Sequence, residues 1–280
     1  MSTSAGSRES LIGTPRAADR RVDAAIGGIA GFAGGLLGLG GGFVMVPLQV
    51  MWARRGQHLA NGTSLAAILP IALVAGAVYY FGRTSPQTDL TVALFLAVGS
   101  TFGALIGALA ARRVSDRALK MIVAVLLLVL GLKEVYDTVV VAAAHVTAQA
   151  LGPGQYALIA AGGLVIGIAS GLTGVGGGIL VVPLLTLGFG IAQRVAQGTS
   201  LIAILPTAAI GAFTYSRSGD VDLRAAGWMA AAGVPAALIG ASVALWLPER
   251  VLVGAFGAFL LFAAARMWPR KASAAADATR

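Results

Sequence analysis

The chain has 280 residues, 58% of them hydrophobic and 11% charged, against about 25% charged in an average soluble domain, which excludes a soluble globular fold. The formal net charge of +9 does not point to nucleic acid, because the bases sit at the ends of apolar runs and not in one patch interleaved with aromatics. With no cysteine, disulfides, thiolate metal ligands and thiol catalysis are excluded as well.

In chain order, residues 1–23 are polar and carry Arg8, Arg16, Arg20 and Arg21. No small-residue cleavage site follows a short apolar core, so they read as a retained cytoplasmic tail, and Asp23 argues against a twin-arginine signal. Four apolar segments follow: Ala24–Trp52, interrupted by glycines, then Ser64–Phe81, Leu90–Ala111 and Leu119–Tyr136. After a polar connector, 137–155, the pattern returns as Tyr156–Phe189, again glycine-broken, Ser200–Tyr215, Ala225–Trp246 and Val251–Met267, with a tail over 269–280. A helical span needs about 20 apolar residues. The runs do not alternate at period two as barrel strands do, so the expected fold is an all-α integral membrane protein in a lipid bilayer.

The second half repeats the first. Residues 35–70 align without a gap on 171–206, with 19 of 36 positions identical, and after a three-residue deletion Asp89–Leu90 matches Asp222–Leu223, Ala104–Gly107 matches Ala237–Gly240, and Asp116–Arg117 matches Glu249–Arg250. Two homologous modules, 24–136 and 156–268, each contain a broken or re-entrant segment and three transmembrane helices.

Whether the broken segment turns back sets the relative orientation of the modules. If it does, Lys and Arg fall 16 on the N-terminal side against 4 on the other (Arg83, Lys133, Arg194, Arg250); if it crosses once, the division is 12 to 8. Cytoplasmic flanks are enriched in these residues, so the turned-back form is expected, with cytoplasmic termini and inverted repeats. Inverted repeats with broken helices are a secondary-transporter architecture whose site lies near the midplane.

Two motifs recur. Gly40, Gly41 and Gly42, followed by Pro47, match Gly176, Gly177 and Gly178, followed by Pro183. Glycine costs about 1 kcal/mol relative to alanine inside a helix, so each triplet is an expected break, and unwound backbone at membrane depth must be buried or line a wet cavity. Its N–H groups are candidate anion donors. Close helix packing is the competing reading, preferred for Gly27, Gly31 and Gly35. The second motif is Asn61, Gly62, Thr63 and Ser64, matched by Gln197, Gly198, Thr199 and Ser200. Serine and threonine favour helix caps, and the cap end carries about half a positive charge, so these stretches are expected to open helices and to line an anion path. An ordinary water-facing cap is the alternative.

Pro70 and Pro206 are expected to kink the following helices as hinges or shape features. Gln57 and Gln193 read as loop residues, with a place on the anion path as the weaker alternative, Tyr79 and Tyr215 as interface anchors before substrate contacts, and Lys133, Glu134 and Asp137 as a solvated helix end. No acid–base pair stands out in a span, two histidines, His58 and His145, do not suggest a metal site, and no metalloprotease motif or phosphate-binding loop occurs. Neither an enzyme nor a cofactor is expected.

The two GxGGGxxxxP stretches, each followed by GTS within a doubled module, resemble the TauE/SafE sulfite and sulfonate exporter family, also called the four-toluene-sulfonate-uptake-like permeases. The likeness covers about Ala24–Trp268. It implies transport of a small sulfur-containing or organic anion such as sulfite, a sulfonate, thiosulfate or sulfoacetate across the cytoplasmic (inner) membrane, in a direction that differs among members; export is the expectation for this chain. A secondary transporter, coupled to a proton or sodium gradient or uncoupled, is the leading expectation, with an anion channel of the same architecture beside it.

Overall fold

The computed structural model describes residues 17–110, 116–139, 152–173 and 177–267. The expected tails beyond these limits, the middle of the connector and Gly176 lie outside the described residues.

Ten helices are described: α1 Ala17–Leu37, α2 Gly42–Trp52, α3 Gln57–Phe81, α4 Leu90–Ala110, α5 Asp116–Val139, α6 Pro153–Thr173, α7 from Gly178 to Pro183 and on through a π turn to Gly188, α8 Gln193–Arg217, α9 Leu223–Trp246 and α10 Glu249–Met267. Six of them, α3, α4, α6, α8, α9 and α10, are long and apolar enough to cross a membrane among the described residues. The chain is a multi-pass helical membrane protein.

Both broken segments fold back. In the first, α1 ends at Leu37 and α2 runs down beside it until Arg55 grips Asp23 on α1, Nη1 to Oδ1 at 2.6 Å and Nη2 to Oδ2 at 2.9 Å. In the second, Gly177 lies against Ile166 while Leu184 lies against Gly162, so α7 retraces α6. The 11 residues of α2 rise about 16 Å at 1.5 Å each, half of an apolar layer of about 30 Å.

The modules exchange partners. α1 packs along α9 and α4 along α6, while α3 lies on α8 and α5 on α10. Glycine makes the first two pairings close: a Cβ on Gly31 would overlap the Gly233 backbone, and one on Gly103 the Leu164 carbonyl. In lipid, where no hydrophobic effect draws helices together, the close van der Waals packing that such backbone approach allows holds them.

The start of α3 meets the end of α8: Thr63 lies beside Asp222, just past α8, and Thr199 beside Asp89, just past α3. α3 and α8 are thus antiparallel and equivalent, so the axis relating the modules lies across the helices. The repeats are inverted, as the charge distribution predicts.

Three helix starts differ from expectation. α1 begins at Ala17, so residues 17–23 of the expected tail are helical and Asp23 is buried. α3 and α8 begin at Gln57 and Gln193, so the GTS triplets lie in the second turn and do not open the helices. Glycine there is a contact device, because a Cβ on Gly62 would overlap the Asp220 carbonyl and one on Gly198 the Gln87 carbonyl. The earlier start also puts Pro70 and Pro206 mid-helix.

Candidate functional site

The Gly38–Gly41 turn is the centre of the site. Gly38, Gly40 and Gly41 have φ of 72°, 67° and 86°, a region that costs other residues roughly 1–2 kcal/mol. The turn is also tightly enclosed. A Cβ on Gly40 would meet Ile68 and Ala72 of α3 and Ile204 of α8, and one on Gly38 would press on Gln197 of α8. Gly178, which opens α7, faces the Leu39 carbonyl. The two glycine breaks, one from each module, therefore meet between α3 and α8. Gly42 and Gly178 start helices there, so the helix N-termini at this junction belong to the glycine triplets and not to the GTS stretches.

The GTS residues are buried and lie toward opposite ends of the bundle. Thr63 Oγ1 accepts the Asp222 N–H at 3.0 Å, and Thr199 Oγ1 accepts the Asp89 N–H at 2.9 Å. These two aspartates then receive N–H groups of α9 and α4, Ala225 and Val92 at 3.0 Å, as capping residues do. Each threonine thus ties its helix to the loop of the other module. The first backbone N–H of α8, on Gln193, already donates to the Glu249 carboxylate at 2.9 Å, so the protein's own acid takes the place proposed for a mobile anion at that helix end.

On the side of α1's start, Asp23, Arg55, Gln49 and Ser64 form a chain. Arg55 Nη1 also donates to Gln49 Oε1 at 3.2 Å, and Gln49 Nε2 donates to Ser64 Oγ at 2.6 Å and to the Ala60 carbonyl at 3.1 Å. Asp222 stands 3.9 Å from the guanidinium. Asn61 accepts from Gln57 at 3.2 Å. The equivalent positions in the second module are Ile159, Ile191, Leu185 and Ser200, and no such chain exists there.

Three expectations are corrected. Tyr79 is fully buried and is not an interface anchor: its hydroxyl reaches the Gly35 carbonyl at 3.1 Å and Gln197 Oε1 at 3.0 Å. Gln57 and Gln193 are the first residues of α3 and α8 and not loop residues, and Gln193 is buried. Glu134 is buried, not solvated, and accepts from Thr186 Oγ1 on the π turn at 3.0 Å. It continues the buried line Ala124, Leu127, Gly131 at helical spacing, a signal visible in the sequence. Lys133 beside it is exposed as expected.

Six buried side-chain atoms have no hydrogen-bond partner among the described residues: Thr88 Oγ1, Thr101 Oγ1, Gln193 Nε2 and Oε1, Gln197 Nε2 and Ser200 Oγ. Burying such a group unpaired costs about 1–3 kcal/mol. Four of the six atoms lie on α8. No cluster of metal-ligating residues is found among the described residues.

A family model described as sulfite exporter TauE/SafE matches residues 3–134 and 159–280, one match per module. The chain is 30% identical over 200 residues to a Xylella fastidiosa (strain 9a5c) protein described as a probable membrane transporter, covering 70% of this chain and 74% of that one. It is 29% identical over 235 residues to the Bacillus subtilis (strain 168) probable membrane transporter protein YunE, covering 77% and 83%. A Haemophilus influenzae (strain ATCC 51907 / DSM 11121 / KW20 / Rd) probable membrane transporter is 29% identical over 266 residues, 87% and 96% of the two chains. No solved structure matches.

Proposed function

The chain belongs to the sulfite exporter TauE/SafE family of membrane transporters, and from that premise we propose that it is a secondary transporter exporting a small sulfur-containing or organic anion of the sulfite, sulfonate or thiosulfate class. The observation that carries the proposal is the meeting of the two glycine breaks between α3 and α8, with Gly38 pressed on Gln197 and Gly178 on Leu39. Helix N-termini there supply partial positive charge, so an anion can be held without a permanent cation in the span.

Substrate passes Gly40, Gly41, Gly42, Gly177 and Gly178 at the centre, with Asn61, Thr63 and Ser64 on one approach and Gln197, Thr199 and Ser200 on the other. The inverted pairing favours alternating access over a channel, because exchanging the conformations of the modules moves the opening from one face to the other. The face holding Arg20, Arg21, Arg54, Arg55, Arg217, Arg224 and Arg266 is assigned to the cytoplasm of the inner membrane. A proton or sodium gradient is the candidate driving force.

Purified protein in proteoliposomes is expected to give saturable efflux of sulfite or sulfoacetate and counterflow against an opposing gradient. Saturable flux without counterflow would point to the channel; no saturable flux with either anion would overturn the proposal.

A further inference from the structure

Gln193, Gln197 and Ser200 follow one another on α8 at i, i+4 and i+7, which places them in one line along the helix, about 10 Å from end to end. All three are buried. Both amide atoms of Gln193, Nε2 of Gln197 and Oγ of Ser200 have no partner among the described residues. Whichever way the Gln197 amide is turned, Tyr79 engages only one end of it.

The same three places in the first module are filled by Gln57, Asn61 and Ser64, and there polar groups are hydrogen-bonded to protein partners. Gln57 donates to Asn61 at 3.2 Å, and Gln49 donates to Ser64 at 2.6 Å. In the second module Leu185 stands where Gln49 does, so Ser200 loses its partner, and Gln193 is buried where Gln57 is exposed. The backbone differs beside it as well. Residues 184–188 form a π turn, whereas their counterparts in α2 are regular α-helix, and single π turns recur at functional sites.

We infer that Gln193, Gln197 and Ser200 form a ligand subsite, present in the second module only, that receives the oxygens of a small oxyanion through neutral amide and hydroxyl donors. It rests on the transport reading above. The donors suit acceptor oxygens, and no ion pair has to break on release. Arg194, the neighbouring cation, is committed elsewhere: its guanidinium donates to the Leu247 carbonyl at 2.6 Å and the Ala244 carbonyl at 3.4 Å. The repeated polar line is thus hydrogen-bonded within the protein in one half and open to a ligand in the other.

Gln193→Leu and Ser200→Ala, with Gln57→Leu as the mirrored control, test the subsite in detergent and in proteoliposomes, using sulfite and sulfoacetate as probes. Each α8 variant should raise the KM for efflux about tenfold, the size expected from losing one well-made hydrogen bond to a charged ligand. Each should also abolish the ligand-induced rise in Tm and leave the ligand-free Tm equal or higher, since an unpaired buried group is gone. Gln57→Leu should keep the wild-type KM. An unchanged KM and ligand shift, or a lowered ligand-free Tm with the ligand shift intact, overturns the subsite and leaves transport standing. A wild-type ligand shift that Gln193→Leu removes, without saturable flux, keeps the subsite and overturns transport; neither shift nor flux in the wild type overturns both.

Discussion

Arg55 and Ile191 close the same backbone turn in the two modules, each donating its N–H to the carbonyl six residues earlier, Gln49 at 3.2 Å and Leu185 at 3.0 Å. The side chains that close it differ. Arg55 is locked to Asp23, with 12% and 5% of the two side chains exposed, whereas Ile191 and Ile159 fill the matching places with hydrocarbon. The fold tolerates either solution, ionic or apolar, at one pair of positions.

That equivalence yields a double-mutant cycle. Removing one member of a buried ion pair strands the other, at a cost of about 3–5 kcal/mol, while replacing both with apolar residues is often neutral. Asp23→Ile and Arg55→Ile should each lower the unfolding temperature in detergent markedly, and the double variant should recover most of the loss. A double variant as unstable as the sum of the singles would show that Arg55 acts through Gln49 and Asp222 instead.

The two threonines of the repeated GTS motif make equivalent hydrogen bonds toward opposite ends of the bundle. Thr63→Val and Thr199→Val each leave a backbone N–H of Asp222 or Asp89 without its acceptor, a loss of about 1–3 kcal/mol. Because the sites share no partner, the losses should add in the double variant. Serine at either position should retain wild-type stability, which denaturation with and without the substitutions would check.

The doubled module, its helices and its inversion could be read from the sequence because they rest on local signals: glycine triplets in apolar runs, a gapless repeat and the placement of Lys and Arg. The start of α3 could not, since Gly62–Thr63–Ser64 has the composition of a cap. What decides against a cap is the Asp220 carbonyl, more than 150 residues away in sequence, for which Gly62 makes room. The central junction of glycine turns was half legible: the breaks were, but not that Gly38 would rest on Gln197. Asp23, Arg55 and Gln49 were all in view, yet their chain exists only because α2 folds back along α1. The contrast between Gln193 and Gln57 depends on burial, which aligned glutamines do not reveal.

Glycine at the α1–α9 contact is held to be a steric requirement. A Cβ on Gly31 would overlap the Gly233 backbone, while one on Gly28, a short step along the same helix, would meet nothing within 4 Å. Gly31→Ala should cost about 1–3 kcal/mol, the usual penalty for overpacking, and Gly28→Ala should be neutral or slightly stabilising by helix propensity. Melting both variants in the same detergent separates crowding from a general intolerance of alanine in α1.

Arg54 offers the opposite case, a residue whose replacement by glycine should help. It is exposed and has φ of 52°, and its counterpart in the second module is Gly190, with φ of 64°. The turn therefore needs the left-handed conformation in both modules, and only the second has the residue that adopts it freely. A non-glycine residue pays roughly 1–2 kcal/mol there; part of the relief is returned because glycine gains freedom in the unfolded chain. Arg54→Gly should raise stability by about 1 kcal/mol, read as a higher melting temperature, whereas Arg54→Ala, which removes the same charge and keeps the strain, should not. Equal effects of the two substitutions would trace the change to the charge and not to the backbone.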